Sequence, residues 1–217
     1  MMFADRQEAG RAVADRLGTF EGGRVVVLAL PRGGVPVAAE IARALGAPMD
    51  VIGVRKLGAP RQPELAMGAI AEGGVRELDD RTVQMLRIAA AAIDAIEARE
   101  REELERRVRE YRGDRGLPEL RGRTAIVVDD GLATGSTARV ACRAVRQRNP
   151  ERLVLAVPVA SREGLSSLRH EADEVVCVEA PPDFVAVGHW YRDFGQTTDD
   201  EVRRLLTELG TPEGADR

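Results

Sequence analysis

Residues 126–137, IVVDDGLATGST, hold the densest chemistry in the 217-residue chain. An apolar run ends in two adjacent acids, Asp129 and Asp130, a turn rich in Gly and Thr follows, and a helical pattern opens near Ser136. Backbone N–H groups at a helix start lack intrahelical partners and point outward, which makes an anion site. Gly131 and Gly135 let the main chain approach a ligand without a Cβ in the way. Thr134, Ser136 and Thr137 add hydroxyl donors. The acids stand beside this cradle, where they can accept from sugar hydroxyls or hold a hydrated Mg²⁺. The lysine of a Walker loop is missing, and so is the three-glycine dinucleotide pattern. The plain alternative is a strand–turn–helix with ordinary capping residues, but two acids closing a buried strand are costly without a ligand or metal.

Two other segments offer cations. In LALPRGGVPVAAEIA (28–42), Arg32 precedes Gly33 and Gly34 where another helical pattern begins. Its forked donors and the two glycine N–H groups suit a second anion; read alone, PRGG is simply a turn into a helix. Of the 32 basic residues, Lys56 is the single lysine. Such Arg-for-Lys usage reflects coding bias, and a position that keeps its ammonium is a candidate for a compact, flexible point charge. Arg55 and Lys56 end a strand-like segment (50–56), ahead of a Gly-, Pro- and Ala-rich stretch that includes Arg61. A solvated charge at a strand end is the alternative.

The elements that must position these groups read as an α/β protein. Apolar, β-branched runs at 24–30, 123–130 and 152–160, with shorter ones at 50–56 and 174–180, have the pattern of strands buried on both faces. Helical patterns at 34–45, 136–148 and 162–171 alternate with them, which predicts a doubly wound, mainly parallel sheet with ligands at the strands' carboxyl ends. Residues 79–112 break the rhythm as one long helix with four-residue pairs Glu97/Arg101, Glu102/Arg106, Glu103/Arg107 and Glu105/Arg109. Its thin apolar stripe, Leu104, Val108 and Tyr111, leaves a solvated connecting helix and a dimer contact as the two readings. Four of the seven aromatics, Phe184, Trp190, Tyr191 and Phe194, cluster near the C-terminal end, as a stacking platform or as the core of a small hood. Net charge is −4, so no global basic field invites nucleic acid. No apolar run approaches the ~20 residues of a membrane span. Cys142 and Cys177 lie far apart, without a disulfide or zinc pattern. The N-terminal stretch lacks a signal-peptide core, and a cytoplasmic location is expected.

The 126–137 segment closely resembles the phosphoribosyl pyrophosphate signature of type I phosphoribosyltransferases: apolar residues, two acids, three variable positions, then Thr-Gly-Ser-Thr. Pro31-Arg32-Gly33-Gly34 resembles the pyrophosphate loop of the bacterial xanthine enzymes, where a cis peptide is frequent. The resemblance implies that Ala133, Thr134, Gly135, Ser136 and Thr137 grip the ribose 5-phosphate and that Asp129 and Asp130 meet the ribose hydroxyls. Arg32, Gly33 and Gly34 would face pyrophosphate, and Arg55 and Lys56 would begin a flexible loop (about 55–78) that closes over it. Phe184 would stack on the base, Val185 would read its edge, and Arg192-Asp193 resembles a later pair in the family. The chain is most similar to bacterial members of unassigned base. The implied layout is a single domain with a core at about 19–180 and a hood at about 181–210, to which the N-terminal helix contributes. Mg²⁺ would arrive with the substrate, partners would be phosphoribosyl pyrophosphate and a base, and a homodimer is expected. The alternative is a non-catalytic sensor of phosphoribosyl pyrophosphate or nucleotides on the same fold.

Overall fold

The computed structural model describes residues 2–20 and 22–210. In chain order its elements begin α1 (Arg6–Ala14), β1 (Val25–Ala29), α2 (Gly34–Leu45) and β2 (Met49–Val51). Then come β3 (Val54–Ala59), β4 (Gln62–Ala71), β5 (Arg76–Leu78), α3 (Asp80–Met85) and α4 (Ala90–Arg112). The rest is β6 (Thr124–Val128), α5 (Ser136–Arg146), β7 (Arg152–Val159), α6 (Arg162–Leu168), β8 (Glu174–Glu179) and α7 (Asp199–Leu209).

Alternation along the strands explains the layers. Val25, Val27 and Ala29 of β1 pack into one core with α1, α2 and α7, whereas Val26, Leu28 and Leu30 face a second core with α5 and part of β4. A strand buried on both faces belongs in a parallel sheet covered on each side. The five-stranded sheet is parallel throughout, in the order β2-β1-β6-β7-β8. From β1 the chain passes to β2 on one side, and β6 later returns to the other. The switch point therefore lies between the carboxyl ends of β1 and β6, where open α/β sheets bind ligands.

Several sequence expectations need correction. Residues 50–56 are not one strand: β2 pairs with β1, the chain turns at Ile52-Gly53, and β3 enters a separate antiparallel sheet, β3-β4-β5. A Cβ on Gly53 would lie 2.5 Å from Val108 and 2.9 Å from Glu72, so the turn is pressed against α4. The stretch 55–78 is that sheet rather than an unstructured loop. Its glycines serve close packing: a Cβ on Gly58 or Gly68 would come within 2.4 or 2.3 Å of the facing strand's carbonyl. Leu57, Ala59, Met67 and Ile70 bury against Ile93 and Leu104 of α4.

The helix expected over 79–112 is two. Asp79 caps α3, Arg87 takes a left-handed φ of 49°, and α4 starts afresh at Ala90. Leu104 and Tyr111 of the apolar stripe are buried within this chain, so the stripe is not a free dimer face. Two of the four expected pairs form, Glu97–Arg101 at 2.6 Å and Glu103–Arg107 at 2.7 Å, while Arg106 turns to Glu103 and Glu110. At the end of α4, the Arg112 side chain is 2% exposed and donates to Asp50, Glu72 and the Val51 carbonyl. Glu72 also accepts from the Gly53 N–H. This buried ionic knot fastens the turn between the two sheets.

The hood draws on both ends of the chain. Phe3 donates to the Trp190 carbonyl and accepts from Arg192, and Asp193 donates to Ala4, all within 2.8–2.9 Å. Phe3, Ala9 and Tyr191 form a small core with Val159, flanked by Phe184, Val187 and Trp190. Helix α7, expected in the hood, instead buries Val202, Leu205 and Leu206 in the main core beside α2. Its apolar residues fall on one helical face, which packs on that core. Among the described residues, no helix is long and apolar enough to cross a membrane.

Candidate active site

The loops after β1 and β6 run side by side at the switch point. Ala29 pairs with Val128, and the Leu30 N–H donates to the Val128 carbonyl at 2.8 Å. The Pro31–Arg32 peptide is cis. A Cβ on Gly33 would sit 2.1 Å from Asp130 Oδ2, and one on Gly34 would sit 2.6 Å from the Val128 carbonyl. PRGG therefore abuts the acid pair as closely as backbone can. Helices α2 and α5 start from Gly33 and Gly135, with no side chain accepting from their first-turn N–H groups, whereas Asp5, Ser161 and Thr198 cap α1, α6 and α7. The main chain takes up the first N–H groups of α2, Gly34 donating to the Leu30 carbonyl at 3.0 Å and Val35 to that of Arg32 at 3.1 Å. Helix α5 is therefore the more open of the two starts, and both direct the positive end of a helix dipole toward the ends of β1 and β6.

The loop 131–137 is braced from behind by α6, a feature the sequence pattern gave no sign of. The Ser161 hydroxyl donates to the Ala133 carbonyl, and the Ser167 hydroxyl donates to that of Thr134 at 3.3 Å. Gly164 permits this contact, since its Cβ would lie 2.7 Å from the Ala133 carbonyl. Gly135 takes a φ of 76°, which glycine adopts freely. The Thr134 and Ser136 hydroxyls lie 3.3 Å apart on the same lip.

The acids differ in their partners. Asp129 accepts from the Asp130 N–H at 2.9 Å. Burial, with the charge of Asp130 beside it, holds its carboxyl well above the usual range. Burial also raises Asp130, opposed by the guanidinium of Arg6, whose Nη2 lies 2.8 Å from Oδ2. The Tyr191 hydroxyl donates to the Asp130 carbonyl at 2.6 Å. Arg6 and Tyr191 escaped sequence reasoning because each lies more than 60 residues from Asp130. Hard carboxylate oxygens such as those of Asp129 and Asp130 suit a hydrated Mg²⁺. Among the described residues, no group of three or more His, Cys, Asp or Glu could hold an ion unaided.

The remaining candidates are spread wider. Arg32 faces Asp199 of α7 at 3.6 Å, and Asp199 accepts from the Tyr111 hydroxyl. Arg55 and Lys56 are engaged on the second sheet: Arg55 donates to Glu100 at 2.9 Å and Lys56 to the Glu64 carbonyl at 2.9 Å. With Arg61 they line a cavity of about 580 Å³ against α4. The structure thus joins residues 31–34, 129–137 and Arg6, and leaves Arg55 and Lys56 on the hairpin. Phe184 is half-buried in the hood, Val185 is 73% exposed, and Val187 covers Gly131, whose Cβ would lie 2.6 Å from it. The hood therefore rests directly on the acid loop.

Residues 4–193 match the family model of the phosphoribosyl transferase domain. A Mycobacterium tuberculosis protein, provisionally named a phosphoribosyl transferase, is 52% identical over 205 residues, covering 94% of this chain and 46% of that protein. The chain thus spans about half the length of the curated relatives that it matches along most of its own length. The crystal structure of TT1426 from Thermus thermophilus superposes with a TM-score of 0.80 at 44% identity, over 97% of this chain and 100% of that one. The uracil phosphoribosyltransferase of Lactobacillus gasseri is 32% identical over 129 residues, 54% of this chain and 62% of that enzyme. On the extent of the family match and of these likenesses, the chain belongs to the phosphoribosyl transferase domain family.

Proposed function

We propose that this chain transfers ribose 5-phosphate from phosphoribosyl pyrophosphate to a nitrogenous base. The observation that carries the reading is the meeting of two glycine-started helices, neither capped by a side chain, with a pair of half-buried acids at one switch point. Residues Ala133, Thr134, Gly135, Ser136 and Thr137 hold the 5-phosphate through main-chain N–H groups and hydroxyls. Asp129 and Asp130 accept from the ribose hydroxyls. Arg32 and the Gly33 N–H receive the pyrophosphate, with Gly34, whose own N–H donates to the Leu30 carbonyl at 3.0 Å, giving the close approach. Arg55 and Lys56 join them when the hairpin closes. Phe184 stacks on the base and the main chain at Val185 reads its edge. The base nitrogen bonds to C1 of the ribose as the bond from C1 to the pyrophosphate oxygen breaks; the electron pair leaves with pyrophosphate, and the proton of the base N–H passes to solvent. Mg²⁺, bound with the substrate, supplies neutralising charge on the leaving group. The chain itself contributes positioning and electrostatic stabilisation.

Ala133 narrows the acceptor. It stands just before the loop threonine, where the 6-oxopurine enzymes that this loop resembles commonly carry an acid placed to exchange a proton with the ring, an assistance typically worth about 10²–10⁴-fold. Hypoxanthine and guanine are therefore poor acceptors, and bases that need no such acid are the better ones. The test is pyrophosphate release from phosphoribosyl pyrophosphate and Mg²⁺ across a panel of bases. A kcat/KM above ~10⁴ M⁻¹s⁻¹ with hypoxanthine or guanine overturns the narrowing. A second reading, a phosphoribosyl pyrophosphate sensor without turnover, draws on the engagement of Arg55 with Glu100 and Lys56 with Glu64. Calorimetric binding with no release for any base would select it.

A further inference from the structure

We propose that Arg6 is a positioning residue of the ribose subsite, pinning the Asp130 carboxylate in the pose that meets the substrate's hydroxyls. The proposal rests on the phosphoribosyl pyrophosphate reading above. Arg6 opens α1, far from the motif in sequence, yet only 11% of its side chain is exposed. Its Nε and Nη2 lie 2.9 and 2.8 Å from Oδ2 of Asp130, and Nη1 donates to the Gly195 carbonyl at 2.7 Å. The guanidinium carbon stands 4.0 Å from the centre of the Phe194 ring and 5.9 Å from that of Tyr191. Every nitrogen of the fork is committed, and the flat ion is stacked as well, a combination an ammonium cannot copy.

Asp130 is enclosed from the other side too. Gly33 packs on its carboxylate, and the Tyr191 hydroxyl fixes its main chain. Two neighbouring carboxylates in an enclosed rim repel one another, so a cation fixed on one of them also fixes where its oxygens face. Arg6 offsets that repulsion at Asp130 while leaving Asp129, whose described partner is the Asp130 N–H, outside its fork. The site thus includes a group from the N-terminal helix. Substrate grip and hood attachment share one side chain.

The test is the Kd for phosphoribosyl pyrophosphate with Mg²⁺, measured by calorimetry on the full chain. Variants are Arg6→Gln, Arg6→Lys, Asp130→Asn and the Arg6→Gln/Asp130→Asn double. The expected result is a loss of about tenfold or more for Arg6→Gln. The same change should cost less than about threefold once Asp130 is already Asn. Arg6→Lys, which keeps the charge without the fork, should fall between wild type and Arg6→Gln; it replaces the glutamine variant should that one fail to fold. Binding by Arg6→Gln within about twofold of wild type overturns the proposal. So does an equal loss with and without the Asp130 carboxylate, which would make Arg6 a brace for the hood alone. Wild-type protein that takes up no phosphoribosyl pyrophosphate overturns the substrate reading, and this proposal with it.

Discussion

Asp129 and Asp130 are chain neighbours in different electrostatic surroundings: a guanidinium answers Asp130, whereas among the described residues Asp129 accepts from the Asp130 amide alone. Burial raises the Asp129 carboxyl in the folded chain, so the folded state resists ionisation that the unfolded state accepts. Stability therefore falls as pH rises from the unfolded carboxylate range through the raised value, and stays low above it. Asp129→Asn should melt higher than wild type at neutral pH, with the gain shrinking on acidification, while phosphoribosyl pyrophosphate affinity drops about tenfold or more. Melting curves across pH together with calorimetry check both signs; a variant that melts no higher at neutral pH contradicts the electrostatic account. Lys56 makes a second case at this scale. It donates to a carbonyl on its own hairpin, so any role on pyrophosphate requires movement. Lys56→Ala should lower kcat more than it raises KM, and Lys56→Arg should restore only part. Indistinguishable rates for Lys56→Arg and wild type would remove the argument. Motif residues 129–137 were legible because their partners are local backbone. Arg6 was not, because nothing near position 6 announces an acid 124 residues away.

At the scale of elements, the turn between the two sheets depends on Arg112. Arg112→Met would leave Asp50 and Glu72 enclosed without their cation, and breaking such a set typically costs about 3–5 kcal/mol. Denaturant unfolding should register that loss, and hydrogen exchange should rise first at the Gly53 turn and along β3. Unchanged exchange there would show that the knot does not fasten the hairpin. Four of the five parallel strands, β1, β6, β7 and β8, and α2, α5 and α6 were readable to within a few residues, since unbroken β-branched runs and helical periodicity are local signals. The antiparallel sheet was not. Its Gly and Ala residues mimic a loop in composition, and only contact with α4 shows that they are small in order to let strands approach. The break at Arg87 was hidden for a related reason, because strong helix formers run on both sides of it.

Across the whole molecule, two segments distant in sequence, around Phe3 and around Tyr191, form one hood over the site. Phe3 is fully buried between them. Phe3→Ala should destabilise the protein by about 3–5 kcal/mol and weaken phosphoribosyl pyrophosphate binding by detaching Arg6 from Asp130. Melting and calorimetry on one sample separate the effects, and a destabilised variant that still binds like wild type would show that hood and site are independent. The family resemblance implied a hood with an N-terminal contribution, and the aromatic cluster marked only its C-terminal part. It misplaced α7, whose amphipathic face carries no mark of which core it joins. The solitary lysine has a use beyond any part in the reaction. It is exposed on β3, on the body that would have to travel. A lysine-specific protease can cut this chain at one internal bond only, and an ε-amine-directed fluorophore has one place to attach. The molecule therefore comes with its own single-site optical reporter of hairpin motion, with no cysteine engineering required.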